Sequence, residues 1–195
     1  DEARKRLGLP TDVPVLLFFG IVRAYKGLAD LFAALPAVRD NFGGVLLLVV
    51  GEFWDDKSAY LEQIASLHIE DSVIIEDRYI PNEEVALYFS AADLLVAPYR
   101  EVTGSAVVQM GIGFRFPIVT TRVGSLAELA DKEPLITLVE PGDGEALARA
   151  IVRHVQRRSE VLPETIPEQR QQSVAWSDLV EKLEESLLAC RNKFL

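Results

Sequence analysis

Short, continuous apolar runs recur along the chain, and segments with helical spacing of apolar residues separate them. The two most strongly apolar runs, VLLFF at 15–19 and VLLLVV at 45–50, each end at a glycine. The others are SVIIE (72–76), DLLVA (93–97), PIVTT (117–121) and LITLV (135–139). Continuous apolar runs are typical of strands that are buried on both faces of a parallel sheet, so the pattern predicts six such strands.

The intervening segments predict helices. One begins after Gly27, and Pro36 within it is expected to end or kink that helix. A second is predicted from the spacing of Tyr60, Leu61, Ile64 and Leu67, and a third from EEVALYFSAA, with Asn82 as its N-cap. Strands that alternate with helices predict an α/β fold with a doubly wound parallel sheet of six strands.

The one break in composition lies at 159–172, SEVLPETIPEQRQQ, which is polar and contains two prolines. It predicts a connector to a last amphipathic helix, so the chain divides into a main domain, 1–160, and an appendage, 161–195, which packs on it. The single cysteine, Cys190, lies in the appendage, so an intrachain disulfide is excluded.

Charge and hydropathy narrow the choice of partners. Lys and Arg number 20 against 30 Asp and Glu, which gives a net charge of −10 and argues against nucleic acid, because such binding needs a basic face. No run of about 18 apolar residues predicts a membrane segment. A cytoplasmic protein fits these features best, and a place at the inner membrane face stays open for a longer enzyme.

The expected strand order, 3-2-1-4-5-6, gives a location for a ligand. In such sheets the strand order reverses between strands 1 and 4, and ligands bind there at the carboxyl ends of the strands. The two loops that follow these strands are GIVRAYKG (20–27) and APYREVTGS (97–105). They carry more chemically reactive side chains than any other pair of loops, and the topology predicts that they face each other.

These loops have the features of an anion site. Arg23 and Lys26 supply positive charge, and Gly104, Ser105 and Ala106 lead into a helix whose free N–H groups favour an anion. A diphosphate between the cations and the helix start is the favoured interpretation. The alternatives are ordinary ones: solvated surface cations, a common strand-to-helix turn and an exposed loop acid at Glu101.

The segments LLFFGIVRAYKGLADLFAAL, LLLVVGE and EVTGSAVVQMGIGFRFPIVTTRVGSLAEL suggest a family. In order and spacing they resemble the C-terminal, nucleotide-sugar-binding domain of GT-B fold glycosyltransferases of the large retaining group called family 4 or group 1. The last segment resembles the family's block in which two acids are separated by seven residues. The resemblance implies a Rossmann-like domain that binds the donor, a nucleotide-diphospho-sugar, and transfers its sugar without a metal or cofactor.

The resemblance also implies roles for individual residues. Arg23 and Lys26 would hold the diphosphate and stabilise the leaving nucleotide, and Glu101 would face the donor sugar as a catalytic group. The backbone amides of Gly104, Ser105 and Ala106 would contact phosphate. The remaining expected contacts are to ribose, through Gln109, and to the base, through Tyr79 and Ile80. Three roles remain possible for Trp54: stacking on a ligand, packing against another domain, or an ordinary position in an exposed loop.

Two features depart from the family pattern. Gln109 stands where the second acid is expected; an amide can still accept a hydrogen bond from a ribose hydroxyl, but it brings no charge. The acceptor-binding N-terminal domain is absent from this chain, so we expect an excised domain that is inactive alone. The alternatives are a non-catalytic nucleotide-binding or regulatory domain of the same fold and half of a nucleotide-sugar epimerase. An epimerase relies on further acids and histidines at its cleft, and neither of the two histidines here lies in a motif loop.

Overall fold

The computed structural model describes residues 2–160. The predicted connector and last helix, 161–195, lie outside the described residues, so the division of the chain at that point stays a prediction. Cys190 lies there as well.

The described chain alternates strands and helices. In chain order the elements are α1 (Glu2–Leu7), β1 (Val15–Phe19), α2 (Leu28–Phe42), β2 (Leu46–Val50), α3 (Lys57–Ser66), β3 (Val73–Glu76), α4 (Asn82–Ala91), β4 (Leu94–Ala97), α5 (Ala106–Gly113), β5 (Ile118–Thr121), α6 (Leu126–Ala130), β6 (Ile136–Val139) and α7 (Gly144–Glu160). Each strand lies within, or coincides with, an apolar run of the sequence.

All six strands are parallel and lie in the order β3-β2-β1-β4-β5-β6, which confirms the predicted fold class and strand order. The strand β1 is buried at every position because it pairs with β2 on one side and β4 on the other, and helices cover both of its faces. Alternate side chains of β1 enter two separate cores: Leu16 and Phe18 pack with α2 and α7, whereas Leu17 and Phe19 pack with α4 and α5.

Three local expectations are corrected. Of the two outcomes expected at Pro36, an end or a kink, the end is wrong: α2 continues to Phe42, because its buried face on both sides of the proline holds it against the core. Asn82 is the first residue of α4 rather than its N-cap, and Pro81 occupies the cap position. In α3, Leu61 is exposed while Tyr60 and Ile64 are buried, so the apolar face is narrower than the spacing predicted.

The strand β3 also differs from its prediction. It lies at the edge of the sheet, and Ile74 is 38% exposed, so β3 is not buried on both faces. An edge strand is paired on one side alone, and apolar sequence does not distinguish it from a central strand.

An ion pair joins α1 to the amino-terminal edge of the sheet. The Arg4 guanidinium lies 2.6 Å from the Asp93 carboxylate, and each side chain is about nine-tenths buried, with 12% and 11% exposed. The same carboxylate accepts a hydrogen bond of 2.7 Å from the Val15 N–H, at the first residue of β1. Asp93 therefore fixes both α1 and the start of β1.

We predict that Asp93→Ala lowers the free energy of unfolding by about 3–5 kcal/mol, because it leaves the Arg4 guanidinium with carbonyl partners but no counter-charge and leaves the Val15 N–H unpaired. Urea denaturation measures the change. Asp12→Ala removes an exposed acid and is the matched control, for which a change within about 0.5 kcal/mol is expected. An equal loss in the two variants would show that the ion pair has no special role.

Candidate functional site

The loops after β1 and β4 lie side by side at the carboxyl edge of the sheet, as predicted, because β1 pairs directly with β4. The Arg100 N–H donates to the Tyr25 carbonyl at 2.7 Å, which joins the two loops through their backbones. The Arg100 guanidinium also forms two hydrogen bonds with the Asp30 carboxylate, of 2.8 and 2.7 Å, and so ties the second loop to α2.

The two loops also lie close together at Gly27. It has a left-handed conformation, φ 71°, and a Cβ atom added there would lie 1.9 Å from the Pro98 carbonyl oxygen. Only glycine fits both the conformation and the space. The Gly27 carbonyl also accepts from the Asp30 and Leu31 N–H groups at the start of α2, so this residue ends one turn and begins the next helix.

Lys26 lies half-buried between the two loops. Its Nζ is 3.3 Å from the position of a Cβ at Gly20 and 6.0 Å from the ring centroid of Tyr99, which follows β4. Burial, and secondly the nearby Arg23 guanidinium, lower the pKa of the Lys26 ammonium. Among the described side chains, those of residues 2–157, no carboxylate lies within ion-pair distance of Lys26. A desolvated cation next to another cation has a strong preference for an anionic ligand.

The helix α5 begins close to Lys26, since Val107 of this helix and the Lys26 Nζ lie 3.1 and 3.3 Å from the position of a Cβ at Gly20. The Ser105 hydroxyl is its N-cap and accepts from the Val108 N–H at 3.2 Å, and it lies 3.1 Å from the Tyr99 hydroxyl. The Ser105 side chain therefore has a capping role, while Gly104 and Ala106 are exposed at the helix start. The first N–H groups of a helix have no partner within it, so this end is suited to an anion.

The turn after β5 supports the same loop from the other side. A Cβ atom at Gly124, φ 50°, would lie 1.8 Å from the Val102 carbonyl oxygen, and the Ser125 hydroxyl donates to the Thr103 carbonyl at 2.8 Å. The sequence shows this Val-Gly turn but does not assign these two residues to the site. The sequence shows only that a glycine and a serine follow an apolar run. These residues reach the loop after β4 because β5 pairs with β4.

The loop after β2 packs against the first loop. Val22 forms backbone hydrogen bonds on both sides, donating to Glu52 at 2.8 Å and accepting from Trp54 at 3.1 Å. Trp54 is 56% exposed, and the Arg23 guanidinium lies over its ring, 4.6 Å from the ring centroid. The contact with Arg23 was not among the roles left open for Trp54, and those three roles stay predictions.

Glu101 and Gln109 are the acid and the amide at the two positions where the family pattern has acids. Glu101 lies in the loop after β4 and Gln109 in the first half of α5, and both are exposed. In residues 2–160, neither side chain has a hydrogen bond or ion pair. Both side chains are therefore exposed and available to a ligand.

Tyr79 and Ile80 follow β3 at the same edge of the sheet, but β2 separates β3 from β1. Tyr79 is 67% exposed, whereas the Ile80 side chain is buried in the core, which leaves only its backbone for a ligand. Arg78 holds this loop through ion pairs with Glu76 and Glu84. Among the described contacts, none joins Tyr79 to the loops that carry Lys26 and Glu101.

Two features of the described residues, 2–160, bear on the partners. No group of three or more His, Cys, Asp or Glu side chains converges as a metal site there. In the same range, no helix has the length and apolar character needed to cross a bilayer.

A parallel sheet of this order, with its chemically reactive loops at the reversal of strand order, defines a Rossmann-like α/β domain of the kind that forms half of a GT-B glycosyltransferase. Residues 13–157 match the family of glycosyl transferases group 1, so the chain belongs to that family. The resemblance drawn from the sequence is thereby confirmed.

Individual relatives agree with this assignment. TuaC of Bacillus subtilis, named as a putative teichuronic acid biosynthesis glycosyltransferase, is 32% identical over 155 residues, which are 79% of this chain and 36% of that protein. The chain spans less than half the length of the curated relatives it matches.

Two solved structures show the same fold. HepE of Anabaena, solved with UDP and glucose, has a TM-score of 0.70 and 21% identity, covering 82% of this chain and 43% of its own. The C-terminal domain of LpcC, a glycosyl transferase group 1 family protein of Francisella tularensis, has a TM-score of 0.69 and 16% identity over 81% of this chain and 83% of its own.

We predict that Gly27→Ala lowers the free energy of unfolding more than Gly43→Ala does. Both glycines are left-handed, with φ of 71° and 66°, which costs an alanine about 1–2 kcal/mol, but Gly43 has no atom within 4 Å of an added Cβ. At Gly27 the clash with Pro98 adds about 1–3 kcal/mol. Urea denaturation measures both losses, and equal losses would show that the two loops separate freely.

Proposed function

We propose that this chain is the donor-binding domain of a retaining, metal-independent glycosyltransferase, and that its site binds the diphosphate of a nucleotide-sugar. The observation that carries the proposal is Lys26, a half-buried ammonium beside Arg23 that has no ion pair among the described side chains, those of residues 2–157. The protein has 30 acidic residues. Because none of the described ones forms an ion pair with Lys26, this cation favours an external anion. The solved complex of HepE with UDP and glucose supports a nucleotide diphosphate as that anion.

The proposed chemistry follows from the positions of the charges. The bond that breaks joins the sugar to the diphosphate, so negative charge grows on the leaving phosphate oxygen. Lys26 and Arg23 stabilise that charge without reorganising, because their loop is already held against its neighbours. The start of α5, with the amides of Gly104, Ser105 and Ala106, contributes further N–H donors.

The remaining roles belong to exposed groups at the same edge. Glu101 accepts from hydroxyls of the donor sugar, and Gln109 bonds the ribose as an uncharged acceptor. Tyr79 and the Ile80 backbone lie along the edge of the sheet for the base. The acceptor site belongs to the rest of a longer enzyme, so the isolated domain binds the donor but does not transfer its sugar. A cytoplasmic donor supply fits this role.

One observation favours a second candidate. A ribose contact through the Gln109 amide is weaker than one through a carboxylate by about 1 kcal/mol. Weaker binding of the nucleotide is what we expect of a non-catalytic nucleotide-binding domain. Transfer assays on the full-length protein separate the two candidates, since only the enzyme turns over the donor. Glu101→Gln in that protein is expected to abolish turnover while leaving the affinity for the diphosphate within about twofold.

We predict weak binding of one of UDP, GDP and ADP to this chain, and a loss of about tenfold or more in Lys26→Ala, because a hydrogen bond to a charged group is worth about 1.5–3 kcal/mol. Isothermal titration calorimetry measures the affinities. Lys5→Ala removes one exposed positive charge from α1, whose Arg4 contacts the opposite edge of the sheet, and should leave binding unchanged. Binding that is indifferent to Lys26, or absent at millimolar nucleotide, contradicts the proposal.

The pH dependence of binding gives a further test. Since burial and Arg23 lower the pKa of Lys26, the ammonium is lost at a lower pH than in an ordinary lysine, and affinity should fall as pH rises through that pKa. Arg23→Ala removes one of the two causes and should move the fall to higher pH. Lys26→Arg stays charged and should flatten the profile. Titration calorimetry between about pH 7 and 10 measures it, and a Lys26→Arg profile identical to that of the unaltered protein would contradict this prediction.

A further inference from the structure

Arg23 and Lys26 belong to one short loop, but different neighbours hold them. Lys26 lies on the side of β4 and α5, close to Gly20 and the Tyr99 ring. Arg23 lies on the side of β2, over the Trp54 ring. Different neighbours therefore hold the two cations, although Arg23 lies close enough to contribute to the lowered pKa of Lys26.

Trp54 is itself fixed by backbone bonds to the loop that it supports. Its N–H donates to the Val22 carbonyl at 3.1 Å, and Val22 and Phe53 form a parallel bridge. One residue further on, the Asp55 carboxylate accepts from the Ala24 N–H, so the bonds bracket Arg23 on both sides. The indole and the guanidinium are thus carried by two segments that are bonded to each other immediately before and after Arg23.

Contact with the ring leaves the hydrogen-bonding capacity of Arg23 intact. The N–H groups of a guanidinium lie in its plane, whereas an aromatic ring attracts the cation through its face. In residues 2–160, Arg23 has no ion pair that competes for those donors. An arginine restricted in this way loses less conformational entropy when it binds an anion.

We propose that Trp54 is a positioning residue: it holds the Arg23 guanidinium for the second phosphate of the diphosphate and so makes the site select nucleoside diphosphates over monophosphates. The inference rests on the proposed function and deepens it. A diphosphate reaches both Lys26 and Arg23, whereas a monophosphate engages the half-buried Lys26 alone. Trp54 affects only the contact between Arg23 and the second phosphate.

The test compares UDP with UMP, or the corresponding pair for GDP or ADP if that base binds, by titration calorimetry. Trp54→Leu keeps an apolar side chain but removes the ring, and should weaken the diphosphate about two- to fivefold while leaving the monophosphate unchanged. Trp54→Phe keeps a ring and should recover most of the loss. Unchanged unfolding free energy in these variants excludes a general structural effect.

A double-variant cycle isolates the contact. In an Arg23→Ala background, Trp54→Leu should have no further effect on diphosphate affinity, because Trp54 acts only through Arg23. If Trp54 instead stacks on the base, Trp54→Leu weakens the mono- and diphosphate equally and does so in the Arg23→Ala background as well. Either of these results overturns the inference.

A third measurement uses the fluorescence of the indole itself. The chain has two tryptophans, so Trp176→Phe leaves Trp54 as the only indole. Its emission should shift in Arg23→Ala, and titration of inorganic pyrophosphate should change the emission only while Arg23 is present. An emission that is the same with and without Arg23 overturns the inference even if UDP binds.

These experiments distinguish a failure of the proposed function from a failure of the role proposed for Trp54. If no diphosphate binds, the proposed function fails, and the positioning role fails with it. If the diphosphate binds and depends on Lys26 but not on Trp54, the proposed function stands and only this inference is overturned.

Discussion

The pairing of β1 with β4 is the constraint on which the site depends. It brings two loops that are 77 residues apart in the chain, at Gly20 and Ala97, to the same place at the edge of the sheet. The approach is so close at Gly27 that no side chain fits against the Pro98 carbonyl. The bonds from Arg100 to Tyr25 and Asp30 then fix the second loop in position. If β1 and β4 were not neighbours, Lys26 would have no helix start close to it.

The charges of the site differ from those of the paired arginines elsewhere in the described structure. Several of the described arginines lie against carboxylates, as Arg4, Arg78 and Arg100 do. Lys26 and Arg23 instead lie close enough to each other that repulsion contributes to the lowered pKa of Lys26. Folding keeps these charges in place because strands and loops that lie elsewhere in the sequence hold them, and an anion is what relieves the repulsion.

The adjacency of the two loops was predictable because alternating strands and helices indicate a doubly wound sheet, and its common strand order makes strands 1 and 4 neighbours. Arg23, Lys26, Gly104 and Ser105 were assigned from two loops whose adjacency follows from that order, and the described structure places those loops side by side. The support from Gly124 and Ser125 was missed, since nothing local in the sequence shows which carbonyl a turn approaches. The capping role of Ser105 and the contact of Arg23 with Trp54 are likewise decided by the folded positions of their neighbours.

The sequence by itself determined the class of fold, the positions of the strands and the family. Apolar runs, glycine turns and the order of motifs are properties of the sequence alone and do not depend on which segments pack together. Tertiary structure decided which side of each element is buried and which residues meet. It left Leu61 and Ile74 exposed despite their spacing, continued α2 beyond Pro36, and placed Trp54 beneath a cation. The physical reason is that burial and contact depend on what packs against a residue, and the packing partner comes from another part of the chain.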